Sequence, residues 1–192
     1  GRALLADPGA LEPWNHQLAE LGGRVVAHRL AALGEIQPTI ERYYRQIAPT
    51  SECLQAVYRS PVSPAESGRG EEILACALRD RLAQEVELKF TLTGPHRDNL
   101  VFTLDGREAH QFASMGQLKS ILLAWKLAEA TFLEARTERR PVLLMDDVFS
   151  ELDRKRADAL LDLISSFGQV VITSARDPDL GFEGRGFRMV EL

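Results

Sequence analysis

The sequence predicts an α/β fold that has a helical first part and a parallel sheet in its second part. Apolar residues recur at helical spacing over residues 10–48 and again over 71–85. After residue 140, strand-like stretches at 142–146 and 169–173 flank a helical stretch at 154–166. Because parallel neighbouring strands need a crossover between them, this alternation favours a parallel pair.

The first helical region carries one apolar stripe. Gly22, Gly23 and Pro38 are expected to divide it, since glycine and proline disfavour a helix interior. The stripe is typical of a compact helical bundle; a long coiled-coil arm would need more heptads. The stripe comprises Leu11, Trp14, Leu18, Leu21 and Val25, then Leu33, Ile36, Ile40, Tyr43 and Ile47.

The elements between these two parts are predicted from composition and turn residues. Serine, proline and glycine at 60–70 indicate a loop, and strand-like residues occupy 86–92 and 100–104. Asp105 and Gly106 form a hairpin signal. A helix is expected over 115–137 and a last strand near 187–191. We therefore divide the chain into a helical subdomain at 1–88 and an α/β part at 89–192.

Composition excludes several classes of protein. The 192 residues carry a net charge of −5, so any DNA contact needs a local basic patch rather than bulk charge. Cys53 and Cys76 give neither a disulfide framework nor a CxxC metal spacing. No apolar run approaches the roughly 18 residues of a membrane span. A cytoplasmic location is expected.

The stretch from Phe112 to Gln117 opens a predicted helix. Ser114 and Gln117 have the spacing of a capping box, in which each side chain satisfies an amide of the first turn. The same helix start can instead present amides to an anion, and Gly116 would let a phosphate approach closely. The two interpretations are compatible.

Two carboxylates, Asp146 and Asp147, follow the strand from Val142 to Met145, which is expected to be buried. Ligands of open parallel sheets bind at this carboxyl edge, and carboxylates suit Mg²⁺. The alternative is that these acids, with the following Ser150 and Asp153, only introduce and cap the next helix.

In this order and spacing, the motifs resemble the head of ABC-type, SMC-like P-loop ATPases. Gly94 to Asp98 and Lys126 to Glu129 narrow the resemblance to the RecF family of bacterial recombination-mediator ATPases, over roughly residues 10–175. No Walker A stretch, Gly-x-x-x-x-Gly-Lys-Ser/Thr, is present. The resemblance therefore implies that the chain is the C-terminal half of an ATPase head, preceded by a helical arm. Such a half is expected to be inactive alone. Another short-armed SMC-like head and a non-catalytic module that binds DNA or a partner are the alternatives.

The resemblance also implies roles for residues of the signature motif and the D-loop. Ser114, Gly116 and Gln117 would contact the γ-phosphate of ATP held by the other subunit of a homodimer. Ser150 and Asp153 would form the D-loop at the same dimer face. ATP binding would drive dimer formation, and hydrolysis would reverse it.

The family pattern implies slow hydrolysis. Asp146 would hold Mg²⁺ through water, and Asp147 stands where most such heads carry a catalytic glutamate, which reaches one methylene further. Ser174 stands where many relatives carry a histidine against the γ-phosphate, and a hydroxyl cannot supply an imidazolium charge.

Basic residues supply the candidate contacts to phosphate or DNA. The family acts on DNA structure rather than sequence and assists RecA loading with RecO and RecR. The alternative interpretation is structural: the histidine packs within the fold, and the charged side chains are solvated at the ends of helices. The candidates are His96, Arg97, Arg154, Lys155 and Arg156.

Overall fold

The computed structural model describes residues 8–48, 51–174, 182 and 185–188. Five α-helices and five strands occur in this part of the chain, with short 3-10 helices at Pro8–Leu11 and Pro64–Arg69. The helices are α1 Glu12–Ile47, α2 Gly70–Leu88, α3 Ala109–Phe112, α4 Met115–Thr137 and α5 Arg154–Ile164. The strands are β1 Leu54–Arg59, β2 Asn99–Leu104, β3 Arg107–Glu108, β4 Val142–Met145 and β5 Gln169–Ile172. Within the described residues, no helix is both long and apolar enough to span a membrane.

The chain divides into two compact units. The first comprises residues 1–35 and 56–101, and the second comprises 36–55 and 102–192. The predicted boundary between residues 88 and 89 falls inside the first unit. The division into a functional arm and a functional head stays a prediction.

The first unit is built on the packing of α1 against α2, and α1 is continuous rather than divided. A Cβ atom added to Gly23 would lie 2.5 Å from the backbone nitrogen of Glu71, so this glycine allows the two helices to approach closely. The prediction that glycine breaks the helix was therefore wrong, because here it serves interhelical packing. The core of the unit comprises Ala19, Val26, Val62, Leu74 and Leu78.

The predicted strand at 86–92 was also wrong. Helix α2 continues to Leu88, and Lys89 then ends it in a left-handed conformation with φ of 61°. The buried carboxylate of Glu85 accepts hydrogen bonds from the amides of Leu92 (2.6 Å) and Thr93 (3.1 Å), which holds the following loop. These amides are thus satisfied by a side chain instead of a strand partner.

The described residues form two sheets. The first has the order β1–β2–β3, and β1 was not predicted. The hairpin between β2 and β3 is confirmed: Asp105 and Gly106 both have positive φ, 49° and 78°, as a two-residue type I′ turn requires. The second sheet confirms the parallel pair, with Met145 of β4 beside Ile172 of β5.

Strand β4 is buried on one face only, which corrects the prediction of a fully buried strand. Leu144 is 77% exposed and Val142 is 51% exposed, whereas Met145 is buried. Because successive side chains of a strand point to opposite faces, Val142 and Leu144 share the exposed face. Helices α4 and α5 closely match their predicted ranges. The last strand, predicted near 187–191, lies largely outside the described residues.

Candidate functional site

The N-terminus of α4 is closed by a capping box. Ser114 has an extended conformation, and its hydroxyl accepts a hydrogen bond from the amide of Gln117 at 3.2 Å. The side-chain oxygen of Gln117 accepts from the amide of Ser114 at 2.9 Å. The capping interpretation is confirmed, and the role of these residues toward a phosphate stays a prediction.

The carboxamide of Gln117 is held at its other end as well. Its nitrogen donates to both carboxylate oxygens of Glu52, at 3.0 and 3.2 Å. The hydroxyl of Tyr44 donates to Glu52 at 3.3 Å. Burial, and then the charge of Glu52, raise the pKa of Tyr44 to about 12. Gln117 is therefore oriented by a carboxylate that sequence reasoning missed, because Glu52 lies 65 residues away along the chain.

Gly116 lies where the signature motif meets the D-loop. A Cβ atom at this position would collide with the guanidinium of Arg156 and would lie 3.3 Å from the carbonyl oxygen of Glu151. The side chain of Arg156 is 23% exposed, and its Nε lies 3.6 Å from a carboxylate oxygen of Asp153. The fold thus brings a predicted basic contact, Arg156, to the start of α4.

Asp153 caps the helix that follows the D-loop. Its carboxylate accepts from the amide of Arg156 at 3.0 Å, at the N-terminus of α5. Arg154 pairs with Asp158 at 3.0 Å on the surface of the same helix, and Lys155 is exposed. The capping alternative for Asp153 is therefore observed.

The two acids lie at the carboxyl end of β4, as predicted. The hydroxyl of Thr173 donates a short hydrogen bond to a carboxylate oxygen of Asp146 and accepts one from the amide of Asp147 at 3.2 Å. The amide of Thr173 donates to the carbonyl oxygen of Met145 at 2.9 Å, which extends the pairing of the two strands. Both carboxylates are exposed, and Ser174 follows Thr173 on the same edge.

The carbonyl group of Asp147 is also fixed. It accepts from the ammonium group of Lys119 at 3.1 Å and from the hydroxyl of Ser150 at 2.8 Å. Lys119 also donates to the Ser150 hydroxyl oxygen at 3.1 Å. Lys119 and Thr173 were missed by sequence reasoning. The signals that could have found them are a lysine one turn beyond Gly116 and a hydroxyl at the end of β5.

His96 and Arg97 belong to the first unit and not to this site. The guanidinium of Arg97 lies 5.0 Å from the centre of the Phe90 ring, and its Nε donates to the carbonyl oxygen of Thr91 at 2.8 Å. The imidazole of His96 lies beside Gly94, whose φ is 133°. The His96 imidazole and the Arg97 guanidinium therefore both have structural neighbours within their own loop.

A second set of polar contacts holds the same loop. Asp98 accepts from the hydroxyl of Tyr58 at 2.5 Å, and Arg29 donates to the same hydroxyl at 3.0 Å and to the carbonyl oxygen of Pro95 at 2.7 Å. Burial and the bond to Asp98 raise the pKa of Tyr58. These contacts give the loop a packing role within the first unit.

Known proteins resemble this chain over most of its length. The DNA replication and repair protein RecF of Moorella thermoacetica is 42% identical over 166 residues, which is 86% of this chain and 43% of that protein. RecF of Heliobacterium modesticaldum is 40% identical over 171 residues, 88% of this chain and 46% of that protein. RecF of Frankia alni is 36% identical over 192 residues, 96% of this chain and 50% of that protein. No family model matches the chain.

The comparison with solved structures agrees with the comparison of sequences. The RecF–ATPrS structure of the recombination mediator protein RecF matches with a TM-score of 0.74 and 28% identity, over 88% of this chain and 46% of that one. The RecF–ATP structure matches with a TM-score of 0.73 over 88% of this chain and 45% of that one. The α/β fold predicted from the motifs is thereby confirmed. The chain spans about half the length of the curated relatives that it matches, and over that span the proteins that it resembles in sequence and in fold are RecF proteins.

Proposed function

We propose that the protein is a RecF-type ATPase of DNA repair and recombination. In this proposal the second unit of the chain supplies the signature motif, the Walker B acids and the D-loop of an ABC-type head. The observation that carries the proposal is that these motifs lie in one unit of the fold. Gly116 of the signature motif packs against the guanidinium of Arg156 and the carbonyl oxygen of Glu151. The match to the RecF–ATP structure supports ATP as the nucleotide.

The start of α4 would act on a nucleotide held by another subunit. The sequence has no Walker A stretch, so in this proposal a P-loop outside this sequence holds the ATP phosphates. Ser114, Gly116 and Gln117 would then face the γ-phosphate across a homodimer. The helix N-terminus favours an anion there, and the guanidinium of Arg156 adds a full positive charge.

The acidic turn, which carries Asp146 and Asp147, would contact Mg²⁺ and the water that attacks the γ-phosphate. Asp146 has an exposed carboxylate with one oxygen bound by Thr173, which suits a water-mediated contact to Mg²⁺. Among the described residues, no cluster of three or more His, Cys, Asp or Glu side chains could hold a metal ion. The nucleotide phosphates would therefore supply the remaining ligands. Asp147 would orient or deprotonate the attacking water, and its short side chain favours slow turnover.

DNA and the RecO, RecR and RecA proteins are the proposed partners, on the strength of the family. The net charge of −5 requires a local patch for DNA, and the exposed Lys155 is a candidate within it. Arg97 and Arg154 retain exposed guanidinium groups in addition to their structural contacts. The predicted cytoplasmic location belongs to this proposal.

A second candidate is a non-catalytic module in which the motifs have only structural roles. The observation that favours it is the double fixation of Gln117 by Ser114 and Glu52, which leaves its carboxamide committed to protein partners. In the first candidate, a phosphate would have to displace Glu52 from Gln117 or bind through the amides and Ser114 alone.

The experiment compares Asp147→Asn with Glu151→Gln in the full-length protein. Each variant removes one carboxylate charge from the same turn, but only Asp147 is assigned to the water. Loss of a positioned base should lower the hydrolysis rate by about 10²–10⁴-fold, with ATP-dependent dimerisation retained. Asp146→Asn should instead weaken Mg²⁺-dependent ATP binding, as measured by titration calorimetry. Equal hydrolysis rates in wild type and Asp147→Asn would remove Asp147 from this role, whereas a wild-type protein that hydrolyses no ATP would favour the non-catalytic module.

A further inference from the structure

Lys119 connects the helix of the signature motif to the turn that carries the acids. Its ammonium group leaves α4 and donates to the carbonyl oxygen of Asp147 and to the hydroxyl oxygen of Ser150, both at 3.1 Å. We propose that Lys119 is a positioning residue that sets the orientation of the Asp147 carboxylate. This inference rests on the proposed function of Asp147.

The turn at Asp147 needs such support because its backbone is in the left-handed region. Its φ is 42°, a conformation that residues other than glycine adopt at an energetic cost. The peptide groups on both sides of this residue are held. Thr173 accepts from its amide at 3.2 Å, and the hydroxyl of Ser150 donates to its carbonyl oxygen at 2.8 Å. Since the backbone direction sets the direction of the side chain, these contacts aim the carboxylate.

Among these donors, Lys119 is the one with a charge. A hydrogen bond from an ammonium group to a carbonyl is stronger than one from a neutral donor. The Ser150 hydroxyl donates its one hydrogen to the carbonyl oxygen of Asp147, so its oxygen accepts the hydrogen bond from Lys119. The three groups form a closed ring, and Lys119 is its only member from α4. Removal of Lys119 would take the charged hydrogen bond away from the carbonyl oxygen of Asp147.

Lys119 also lies one turn beyond Gly116 on the same helix, at the i+3 position. A helix transmits displacement along its length as a stiff body. A shift of the start of α4, where a phosphate of the partner subunit would bind, therefore acts on the Asp147 turn through this side chain. Lys119 would thus connect two sites in one subunit. One is the start of α4, which would contact ATP held by the partner subunit, and the other is the turn that carries Asp146 and Asp147.

The test uses steady-state ATP hydrolysis by the full-length protein. Three variants of Lys119 are compared. Lys119→Arg keeps the positive charge and the hydrogen-bond donors, Lys119→Gln keeps a neutral donor group, and Lys119→Met removes both the charge and the donors. Lys126→Met is the matched control, because Lys126 lies on α4 and pairs with the surface residue Glu129 at 2.8 Å. ATP-dependent dimerisation is followed by sedimentation, and folding by thermal unfolding.

We expect kcat to fall about 10- to 100-fold in Lys119→Met, because small displacements of a reacting group have effects of that size. KM and dimerisation should stay within about twofold of wild type, since no nucleotide contact is removed. The kcat values should follow the order Arg, Gln, Met, and Lys126→Met should match wild type. A residue with a purely structural role would lower the unfolding temperature without this separation of kcat from KM.

Two results would overturn the proposal. One is a wild-type kcat in Lys119→Met. The other is equal kcat in folded Lys119→Arg and Lys119→Gln, which decides the matter if Lys119→Met does not fold. Asp147→Asn separates these from a failure of the proposed function: if that variant hydrolyses ATP normally, Asp147 has no role for Lys119 to support.

Discussion

Two glycines of α1 should respond in opposite directions to the same substitution. Gly23 faces α2, and an added Cβ would lie 2.5 Å from the nitrogen of Glu71 and 2.9 Å from the carbonyl carbon of Gly70. Gly34 has nothing within 4 Å of that position and is exposed. Both residues lie inside a regular helix, so Gly23→Ala and Gly34→Ala differ chiefly in what the new methyl group meets.

The magnitudes follow from two opposing terms. Alanine in place of glycine in a helix interior stabilises by about 1 kcal/mol. At Gly34 this term acts alone, so the free energy of unfolding should rise by about 0.4–1 kcal/mol. At Gly23 the obstructing atoms are backbone and cannot rotate away, so the overpacking cost of about 3 kcal/mol exceeds the gain. The net loss is about 2 kcal/mol, and the two variants should differ by about 3 kcal/mol.

Urea denaturation followed by circular dichroism gives the comparison directly. For a chain of this length, each kcal/mol corresponds to about 2–4 °C in the unfolding temperature, so thermal unfolding provides a second measurement. Equal stability of the two variants would refute the close approach of α1 and α2 at Gly23. A stabilised Gly23→Ala variant would refute it more strongly, because the propensity gain would then be unopposed.

Two further predictions concern the second unit. Ser114→Arg should abolish ATP-dependent dimerisation of the full-length protein, as judged by sedimentation, because the added bulk and charge would lie at the subunit interface. The variant should stay folded by circular dichroism, since loss of the cap costs only about 0.5–2 kcal/mol. A variant that dimerises normally would leave Ser114 with a capping role only. Tyr44 is fully buried with a pKa of about 12 against an ordinary 10.0, so its stabilising contribution is complete below pH 10 and is lost as the pH rises toward 12. The wild type should therefore lose about 2–3 kcal/mol relative to Tyr44→Phe between pH 9 and pH 12, and a constant difference in urea denaturation across that range would contradict the assigned burial.

Sequence patterns predicted the elements whose signals are local. Helix α4 has its predicted bounds, because the capping box at Ser114 and Gln117 is a short-range signal. The hairpin at Asp105 and Gly106 and the parallel pair of β4 and β5 were predicted for the same reason. In each case the deciding interactions lie within a few residues or within one repeat of strand and helix.

Elements decided by distant partners could not be predicted. Gly23 permits close helix packing only because Gly70 and Glu71 are its neighbours in space. The apolar run at 86–92 has the composition of a strand, but the carboxylate of Glu85 takes the amides that a strand partner would need. The same limit applies to the site. Glu52 reaches its place from a segment far along the chain, as does Thr173.

The acidic turn between β4 and α5 has an unusual backbone conformation. Five non-glycine residues in the described part of the chain have positive φ. Lys89 and Glu138 end helices and Asp105 forms the hairpin turn, so their conformations have a structural reason. Asp147, at 42°, and Glu151, at 66°, lie between β4 and α5 and neither end a helix nor form a hairpin. Such conformations cost about 1–3 kcal/mol each and persist where the surroundings impose them. Here the imposing groups are Lys119, Ser150 and Thr173, and the effect of their contacts is to hold a carboxylate at the open edge of the sheet. The positive φ of Asp147 and the three side chains that hold it are the reason to test the chemical role proposed for this residue.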